Sequence, residues 1–268
     1  MIDPFVSVDW VRSHREQVII ADVRLCLDGS SPRAAYDAGH VPGATFVDLE
    51  RWLSGAPSPQ DGRHPLPTPE HFAAGMGAVG IGDHATVVAY DDAGGVFAAR
   101  LVWMLRTLGR DAALMDGGLT AWPEDLETDD PELLEAQFTP QPWPPEALAS
   151  IDDAQDPHNV VLDARPRERF DGGADALDPR AGHIPGARSL PCRDHLQDGK
   201  LLPVDELLAA AHAAGVERGS AVVSYCGSGV TACHNLLVLE HLGLGSGRLY
   251  PGSWSQYSHT DLPAETSA

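Results

Sequence analysis

One pattern occurs twice in this chain, about 140 residues apart, and this duplication constrains the fold more than any other feature of the sequence. Val18 to Arg24 reads VIIADVR, and Val160 to Arg165 reads VVLDAR. Gly39 to Ala44 reads GHVPGA and returns as GHIPGA between Gly182 and Ala187. The order of the segments is kept and the period is the size of a domain, so the sequence predicts two related domains rather than a solenoid.

Within each copy, short β-branched runs alternate with helical stretches. A third repeated segment, TVVAY at 86–90 and AVVSY at 221–225, is typical of a buried strand. Helices are predicted over 72–79 and 207–214, the first of them after Thr68-Pro69, a helix-start signal. Alternating strands and helices predict an α/β fold in which each domain is a parallel sheet flanked by helices on both faces.

The two copies are separated by a segment rich in proline and acidic residues. Prolines stand at positions 140, 142, 144 and 145, and such composition favours a semi-rigid linker. We therefore place the first domain at residues 1–125, the linker at 126–145 and the second domain at 146–268.

The segment that follows the strand at 221–225 has the composition of an anion-binding loop. It reads Cys226-Gly227-Ser228-Gly229-Val230-Thr231 and leads into a helical pattern from Ala232. Two glycines allow successive backbone N–H groups to turn inward, and the start of a helix adds positive potential. A cysteine in such a loop is favoured as a thiolate, the reactive form. Cys226 is therefore the candidate nucleophile, whereas Cys233 is expected to pack within the helix.

The loop sequence CGSGVT resembles the active-site loop of the rhodanese superfamily, and specifically that of 3-mercaptopyruvate sulfurtransferases. The resemblance covers nearly the whole chain as two rhodanese-like domains. It implies a sulfurtransferase that carries sulfane sulfur as a persulfide on Cys226, held by the N–H groups of Gly227, Gly229, Val230 and Thr231. It also implies a proton relay through Ser228 and an activity that requires no metal or organic cofactor.

The first copy lacks the nucleophile. Asp91 stands where the second copy has Cys226, and Asp92 follows it. Carboxylates at this position repel an anionic substrate and cannot carry sulfur. The first domain is therefore predicted to be catalytically silent, with one active site per chain.

The resemblance also points to residues outside the loop. Arg169, which precedes Phe170, matches the family position that holds the carboxylate of mercaptopyruvate, and a guanidinium can do so with two hydrogen bonds. Arg180 is the candidate for a second substrate arginine. His40 is a candidate catalytic residue, since the family places the equivalent histidine near the active cysteine, whereas its counterpart His183 is expected to be structural.

Two aspartate–arginine pairs are expected to be structural. Arg165 follows Asp163 as Arg24 follows Asp22. Because the arrangement occurs in both copies, including the silent one, we expect internal ion pairs that involve Asp22 and Asp163.

Three alternatives remain to be weighed. A thiosulfate sulfurtransferase would hold its small dianion with cations on the loop itself, where this chain offers Gly227 and Ser228. A phosphatase of the Cys-x5-Arg type would need arginine where Ala232 stands, which rejects that activity. A non-catalytic rhodanese-like binding module usually lacks the cysteine that this loop retains.

Composition limits the partners. The formal net charge of −21 argues against nucleic acid and anionic membrane surfaces. The first residues lack the apolar core of a signal peptide, and the four cysteines show no zinc-ligand spacing. We expect a cytoplasmic protein with a small-molecule sulfur donor and a thiol acceptor, such as thioredoxin or a small thiol, or cyanide.

Overall fold

A computed structural model of the protein describes residues 1–26, 28–132, 134–173 and 177–267. The chain divides into two compact units that are not strictly continuous in sequence. The first comprises Met1–Gly55, Pro67–Trp143 and Gln197–Leu201, and the second comprises Ala56–Leu66, Pro144–Leu196 and Leu202–Ala268.

The first unit contains a parallel sheet in the order β1-β5-β4-β2-β3. Its strands are β1 (Phe5–Val6), β2 (Ile19–Asp22), β3 (Thr45–Phe46), β4 (Val87–Tyr90) and β5 (Ala112–Met115). Its helices are α1 (Val8–Ser13), α2 (Pro32–Ala38), α3 (Leu49–Trp52), α4 (Pro69–Ala78) and α5 (Ala99–Thr107), with a 3-10 turn at Leu119–Ala121. Strand β4 is buried along its whole length, as the repeated TVVAY segment predicts.

The second unit repeats this plan on a smaller scale, with a parallel sheet in the order β11-β10-β6-β7. The strands are β6 (Val160–Asp163), β7 (Arg188–Ser189), β10 (Val222–Tyr225) and β11 (Arg248–Leu249). The helices are α6 (Arg167–Phe170), α7 (Val204–Ala213), α8 (Ala232–His241) and α9 (Ser253–Tyr257). The second unit also has 3-10 turns at Pro145–Ala147, Asp153–Gln155 and Cys192–His195. Strand β8 (Leu196–Gln197) lies where the chain passes from the second unit to the first, and β9 (Lys200–Leu201) belongs to the Gln197–Leu201 segment of the first unit.

The predicted α/β class with parallel sheets is confirmed, and so are the local signals that led to it. The side chain of Thr68 accepts a hydrogen bond from the backbone N–H of His71 at 3.2 Å, and Pro69 occupies the first turn of α4. Both predicted helices, 72–79 and 207–214, are present. Each begins three residues before the predicted start, since the ends of helices are the least certain part of a prediction from sequence.

The proline-rich segment is packed against the first unit over part of its length. The ring of Phe138 meets that of Phe72 edge to face at 5.5 Å between centroids, and the Trp143 ring lies 5.2 Å from it. The Nε1 atom of Trp143 donates a hydrogen bond to the carbonyl of Pro67 at 2.8 Å. The predicted linker, 126–145, includes Leu133, which lies outside the described residues.

Candidate active site

The cysteine loop joins β10 to α8 in the second unit. Cys226 follows the last residue of the buried strand β10, and the residue is 2% exposed. The backbone N–H of Gly229 donates a hydrogen bond to Cys226 Sγ at 3.1 Å, and the N–H of Cys226 donates to Ser253 Oγ at 3.1 Å. An N–H group directed at sulfur stabilises a thiolate or the terminal anion of a persulfide.

Gly229 is required by the loop geometry for two reasons. Its φ of +76° lies in the left-handed region, and a Cβ atom there would lie 2.6 Å from the carbonyl oxygen of Pro251. The remaining loop residues lead into the helix: Val230 accepts a hydrogen bond from the N–H of Cys233 at 3.2 Å, and Thr231 precedes the first residue of α8. The strand, the loop and the helix thus follow one another in the predicted order.

A histidine that the sequence analysis did not single out contacts the loop. His64 Nδ1 lies 2.7 Å from Ser228 Oγ, within hydrogen-bonding distance. His64 belongs to the Ala56–Leu66 segment of the second unit. The N–H of Arg63 holds this segment by donating to Ser255 Oγ at 3.0 Å. The contact forms a serine–histidine pair beside the candidate nucleophile.

Two arginines lie beside Gly227. A Cβ atom at Gly227 would lie 3.1 Å from Arg63 Nη2 and 3.4 Å from both Nη1 and Nη2 of Arg169. Arg169 is thus placed at the loop, as the family resemblance implies, and Arg63 is a second cation that the sequence analysis missed. Both guanidinium groups bind the carboxylate of Asp178, whose side chain is fully buried.

Arg180 has a different set of partners from those that a substrate-binding role predicts. Its guanidinium donates hydrogen bonds to the backbone carbonyls of Tyr257, Ser258 and Leu262 at 3.1, 3.2 and 2.8 Å. These bonds fix the segment after α9, and this geometry does not support the expectation that Arg180 binds the substrate. The arginine that accompanies Arg169 at the loop is Arg63.

His40 and His183 occupy equivalent positions in the two units. His40 Nδ1 lies 2.9 Å from the carbonyl of Tyr36, and its ring stacks on the Tyr36 ring at 3.8 Å. His183 Nδ1 lies 2.7 Å from the carbonyl of Phe170, and its ring stacks on the Phe170 ring at 3.7 Å. Because His40 is fully buried and shares its geometry with the histidine that we expected to be structural, the same role fits both.

Asp91 fills the loop of the first unit with its own carboxylate. The four N–H groups of Ala93, Gly95, Phe97 and Ala98 donate to its two oxygens at 2.7–2.9 Å. Burial raises the pKa of Asp91, and the four N–H donors oppose that shift. The side chain therefore occupies the position that an external anion would take in an open loop.

Cys192 and Cys233 differ from Cys226 in their surroundings. Burial raises the pKa of Cys192 to about 12, which outweighs the opposing effect of its hydrogen bond with Thr231. Cys233 is fully buried in α8 and donates to the carbonyl of Gly229 at 3.5 Å, as its predicted packing role requires. Neither environment favours a nucleophilic thiolate.

The two predicted ion pairs are confirmed. Arg24 binds Asp22 at 2.8 Å, and Arg165 binds Asp163 at 2.6 Å. Each arginine also donates to the carbonyl of the glycine that opens the GH(V/I)PGA segment, Gly39 or Gly182. The pairs therefore anchor the repeated turn.

Among the described residues, no group of three or more His, Cys, Asp or Glu side chains is placed to hold a metal ion. No helix in the described part of the chain is both long and apolar enough to cross a membrane.

Comparison with known proteins extends these observations. A family model of the rhodanese-like domain matches residues 7–125 and 144–260. The chain is 42% identical to a Pseudomonas aeruginosa protein named "Probable 3-mercaptopyruvate sulfurtransferase", over 92% of this chain and 91% of that protein. It is 31% identical to "Thiosulfate/3-mercaptopyruvate sulfurtransferase 1, mitochondrial" of Arabidopsis thaliana, over 98% and 78%. The crystal structure of SseA from Escherichia coli, described as a 3-mercaptopyruvate sulfotransferase, has a TM-score of 0.84 and 35% identity, covering 95% of this chain and 100% of that one.

Proposed function

Since this chain belongs to the rhodanese family and is a sulfurtransferase, we propose that its sulfur donor is 3-mercaptopyruvate and that Cys226 carries the sulfur as a persulfide. The observation that carries this proposal is the geometry at the loop. The Sγ atom of Cys226 accepts the N–H of Gly229, and Arg169 and Arg63 lie beside Gly227. A nucleophile is thus combined with cations that suit a carboxylate.

The first half-reaction breaks the carbon–sulfur bond of the donor. The thiolate of Cys226 attacks the sulfur of HS–CH2–CO–COO⁻, the new S–S bond forms, and the electron pair of the C–S bond leaves on the pyruvate enolate. The proton from the donor sulfur balances the charge at the enolate carbon, which gives pyruvate and the Cys226 persulfide anion. Arg169 binds the donor carboxylate with its guanidinium fork.

Ser228 and His64 supply a route for that proton. The contact of 2.7 Å between His64 Nδ1 and Ser228 Oγ allows the hydroxyl to pass a proton toward the departing enolate while the imidazole exchanges one with it. We assign this role to His64 in place of His40, whose ring is fully buried against Tyr36.

The second half-reaction regenerates the free Cys226 thiolate. An acceptor RSH takes the outer sulfur as RSSH, or cyanide takes it as thiocyanate, and Cys226 is left as the thiolate. The N–H groups of the loop from Gly227 to Thr231 stabilise the negative charge on sulfur in both steps, as an oxyanion hole does for oxygen. A small thiol or thioredoxin is the proposed acceptor, and a reducing cytoplasm is the proposed location because the cycle needs a free thiol.

Thiosulfate is the second candidate donor. The name of the Arabidopsis relative includes both donors, and two arginines beside Gly227 suit an anion of either kind. The loop itself carries no cation at Gly227 and Ser228, where a small dianion would be held. The planar guanidinium of Arg169 suits a carboxylate, which favours mercaptopyruvate.

Steady-state kinetics with both donors tests the proposal. The wild-type protein should release pyruvate from mercaptopyruvate with a higher kcat/KM than that for release of sulfite from thiosulfate, with cyanide or a thiol as acceptor in each assay. A higher kcat/KM for thiosulfate would identify thiosulfate as the donor in place of mercaptopyruvate. Absence of sulfur transfer from both donors would favour the remaining alternative, a non-catalytic rhodanese-like binding module.

A further inference from the structure

The segment that follows α9 crosses the repeated turn of the second unit. We call residues 262–266 the strap. Its first carbonyl, that of Leu262, accepts a hydrogen bond from Arg180 Nη1 at 2.8 Å. Further along, Glu265 and His183 exchange two backbone hydrogen bonds at 2.8 and 3.0 Å, as neighbouring antiparallel strands do. The strap is therefore fixed against the GHIPGA segment of the second unit.

Two glycines leave room for the strap. A Cβ atom at Gly182 would lie 2.5 Å from the carbonyl oxygen of Glu265, and one at Gly172 would lie 2.6 Å from Thr266 Cγ2. Gly182 opens the GHIPGA segment, whereas Gly172 lies shortly after Phe170, the last residue of α6. The strap thus packs close to the end of α6 as well as against the turn.

His183 links the strap to α6. Its Nδ1 atom donates a hydrogen bond to the carbonyl of Phe170 at 2.7 Å, since a carbonyl can only accept, and its ring stacks on the Phe170 ring at 3.7 Å. Its Nε2 atom lies 3.8 Å from Glu265 Oε2. Phe170 directly follows Arg169 in the sequence. The buried His183 ring is therefore held by the strap at one nitrogen and holds the neighbour of Arg169 with the other.

The first unit contains the same arrangement without an arginine. His40 and Glu127 exchange two backbone hydrogen bonds, both at 2.9 Å, and the His40 ring stacks on Tyr36 at 3.8 Å. The residue before the stacked tyrosine is Ala35, at the place where the second unit has Arg169. The two units therefore share this packing, and only in the second does it adjoin a side chain that reaches the cysteine loop.

We propose that His183 is a positioning residue for Arg169 and that the strap holds His183 through Glu265. The proposal rests on the proposed function, in which Arg169 binds the donor carboxylate. Helix α6 has four residues, and a helix of one turn gains little stability from its own hydrogen bonds. The contacts of His183 with Phe170 fix the end of this helix, and with it the direction in which the Arg169 side chain leaves the backbone toward Gly227. A two-pronged contact with a carboxylate depends on that direction.

His183→Ala removes both the hydrogen bond and the stacked ring. We expect KM for mercaptopyruvate to rise about tenfold with little change in kcat, because the donor carboxylate is held less well while Cys226 and its loop are intact. His183→Asn should recover part of this loss, since its amide nitrogen can take the place of Nδ1 and donate to the Phe170 carbonyl. Steady-state measurement of pyruvate release gives both constants. An unchanged KM in His183→Ala overturns the proposal.

Glu265→Ala tests the strap at a side chain that is 58% exposed, so this variant does not depend on a change at a buried site. It removes the acceptor of the Gly186 N–H, at 3.3 Å, and the carboxylate beside His183. KM for mercaptopyruvate should rise about threefold. Glu127→Ala is the matched control, because Glu127 accepts the N–H of Gly43 at 2.9 Å in the same way in the first unit. It should leave KM unchanged, and equal effects of the two variants on KM would contradict the role of the strap.

A double-mutant cycle shows whether these residues act through Arg169. In an Arg169→Ala background, His183→Ala and Glu265→Ala should each cause no further rise in KM, because the group that they position is absent. A merely structural role would raise KM by the same factor in both backgrounds, and that result overturns the proposal while turnover by the wild-type protein keeps the proposed function. A wild-type protein that releases no pyruvate from mercaptopyruvate overturns the proposed function itself.

Discussion

His64 Nδ1 lies 2.7 Å from Ser228 Oγ, although 164 residues separate the two in sequence. The contact joins a segment before the proline-rich region to the cysteine loop of the second unit. It is the contact on which the proposed proton route rests, and it gives the first prediction.

His64→Gln should lower kcat with mercaptopyruvate by about two orders of magnitude and leave KM largely unchanged, because proton transfer to the enolate is lost. Ser228→Ala should have a similar effect, and the double variant should be no worse than either single one, since the two residues act as a unit. Stopped-flow measurement of pyruvate release checks this. Additive losses in the double variant would argue against a shared proton route.

His40→Asn should act on stability instead of chemistry. The variant loses the stacking on Tyr36 and places a smaller polar group in a fully buried site, so urea denaturation should show a loss of about 1–3 kcal/mol in the free energy of unfolding. The kcat of the folded fraction should stay close to that of the wild type. A fall in kcat comparable to that of His64→Gln would restore His40 as the catalytic histidine.

Arg169→Ala should lower kcat/KM for mercaptopyruvate by about ten- to a hundredfold, the effect of losing a charge-assisted pair of hydrogen bonds. Arg169→Lys keeps the charge but not the fork, so its loss should be intermediate. Arg167→Lys provides the control, because Arg167 lies in the same helix with its side chain 63% exposed. Equal losses in the Arg169 and Arg167 variants would exclude a specific contact with the donor.

Asp91→Asn should destabilise the first unit without affecting sulfur transfer. The two carboxylate oxygens of Asp91 accept hydrogen bonds from four N–H groups, whereas an asparagine amide has only one oxygen that can accept them. The free energy of unfolding should therefore fall by about 2 kcal/mol or more. Asp92→Asn, at the exposed neighbouring residue, is the matched control, and its free energy of unfolding should change by no more than about 0.5 kcal/mol. Equal stability of the two variants would show that the Asp91 carboxylate is not the internal ligand of this loop.

The stability of the protein should fall as the pH drops from about 6.5 toward 4. Burial lowers the pKa of His195 to about 4, so the unfolded chain takes up a proton at higher pH than the folded chain does. The contribution of the neutral His195 ring to the free energy of unfolding is fully present above about pH 6.5. For such a shift in pKa it amounts to about 3 kcal/mol, which is lost as the pH falls toward 4. His234, whose ring centroid lies 5.8 Å away, has its pKa lowered by burial as well and acts in the same direction.

Denaturation at a series of pH values checks this. His195→Gln should flatten the profile between pH 6.5 and 4. An unaltered slope in His195→Gln would contradict the assignment.

The sequence predicted the parts of the site that lie inside repeated elements. Cys226, the glycines around it and Arg169 each stand at a fixed place relative to a strand of the duplicated pattern, so pattern and resemblance together locate them. The periodicity of strands and helices predicted the two parallel sheets for the same reason.

The residues that were missed lie where no periodic pattern exists. Arg63 and His64 belong to a segment of Gly, Pro and Ser residues between α3 and α4, and nothing in its sequence shows which unit it packs against. The structure gives the reason for Gly62 in this segment: its φ is +88°, and a Cβ atom there would lie 2.6 Å from the carbonyl oxygen of Gly252. For Arg180, sequence spacing could not reveal the three backbone carbonyls that accept hydrogen bonds from its guanidinium.

The central claim is that Cys226 carries the transferred sulfur, and intact-protein mass spectrometry after exposure to mercaptopyruvate tests it most directly. The wild-type protein should gain the mass of one sulfur atom, lose it on addition of a thiol or cyanide, and yield the modified peptide that contains Cys226. Cys192→Ala and Cys233→Ala should gain the same mass, and Cys226→Ser should gain none. Sulfur loaded on Cys226→Ser, or found on a peptide that contains another cysteine, would contradict the claim.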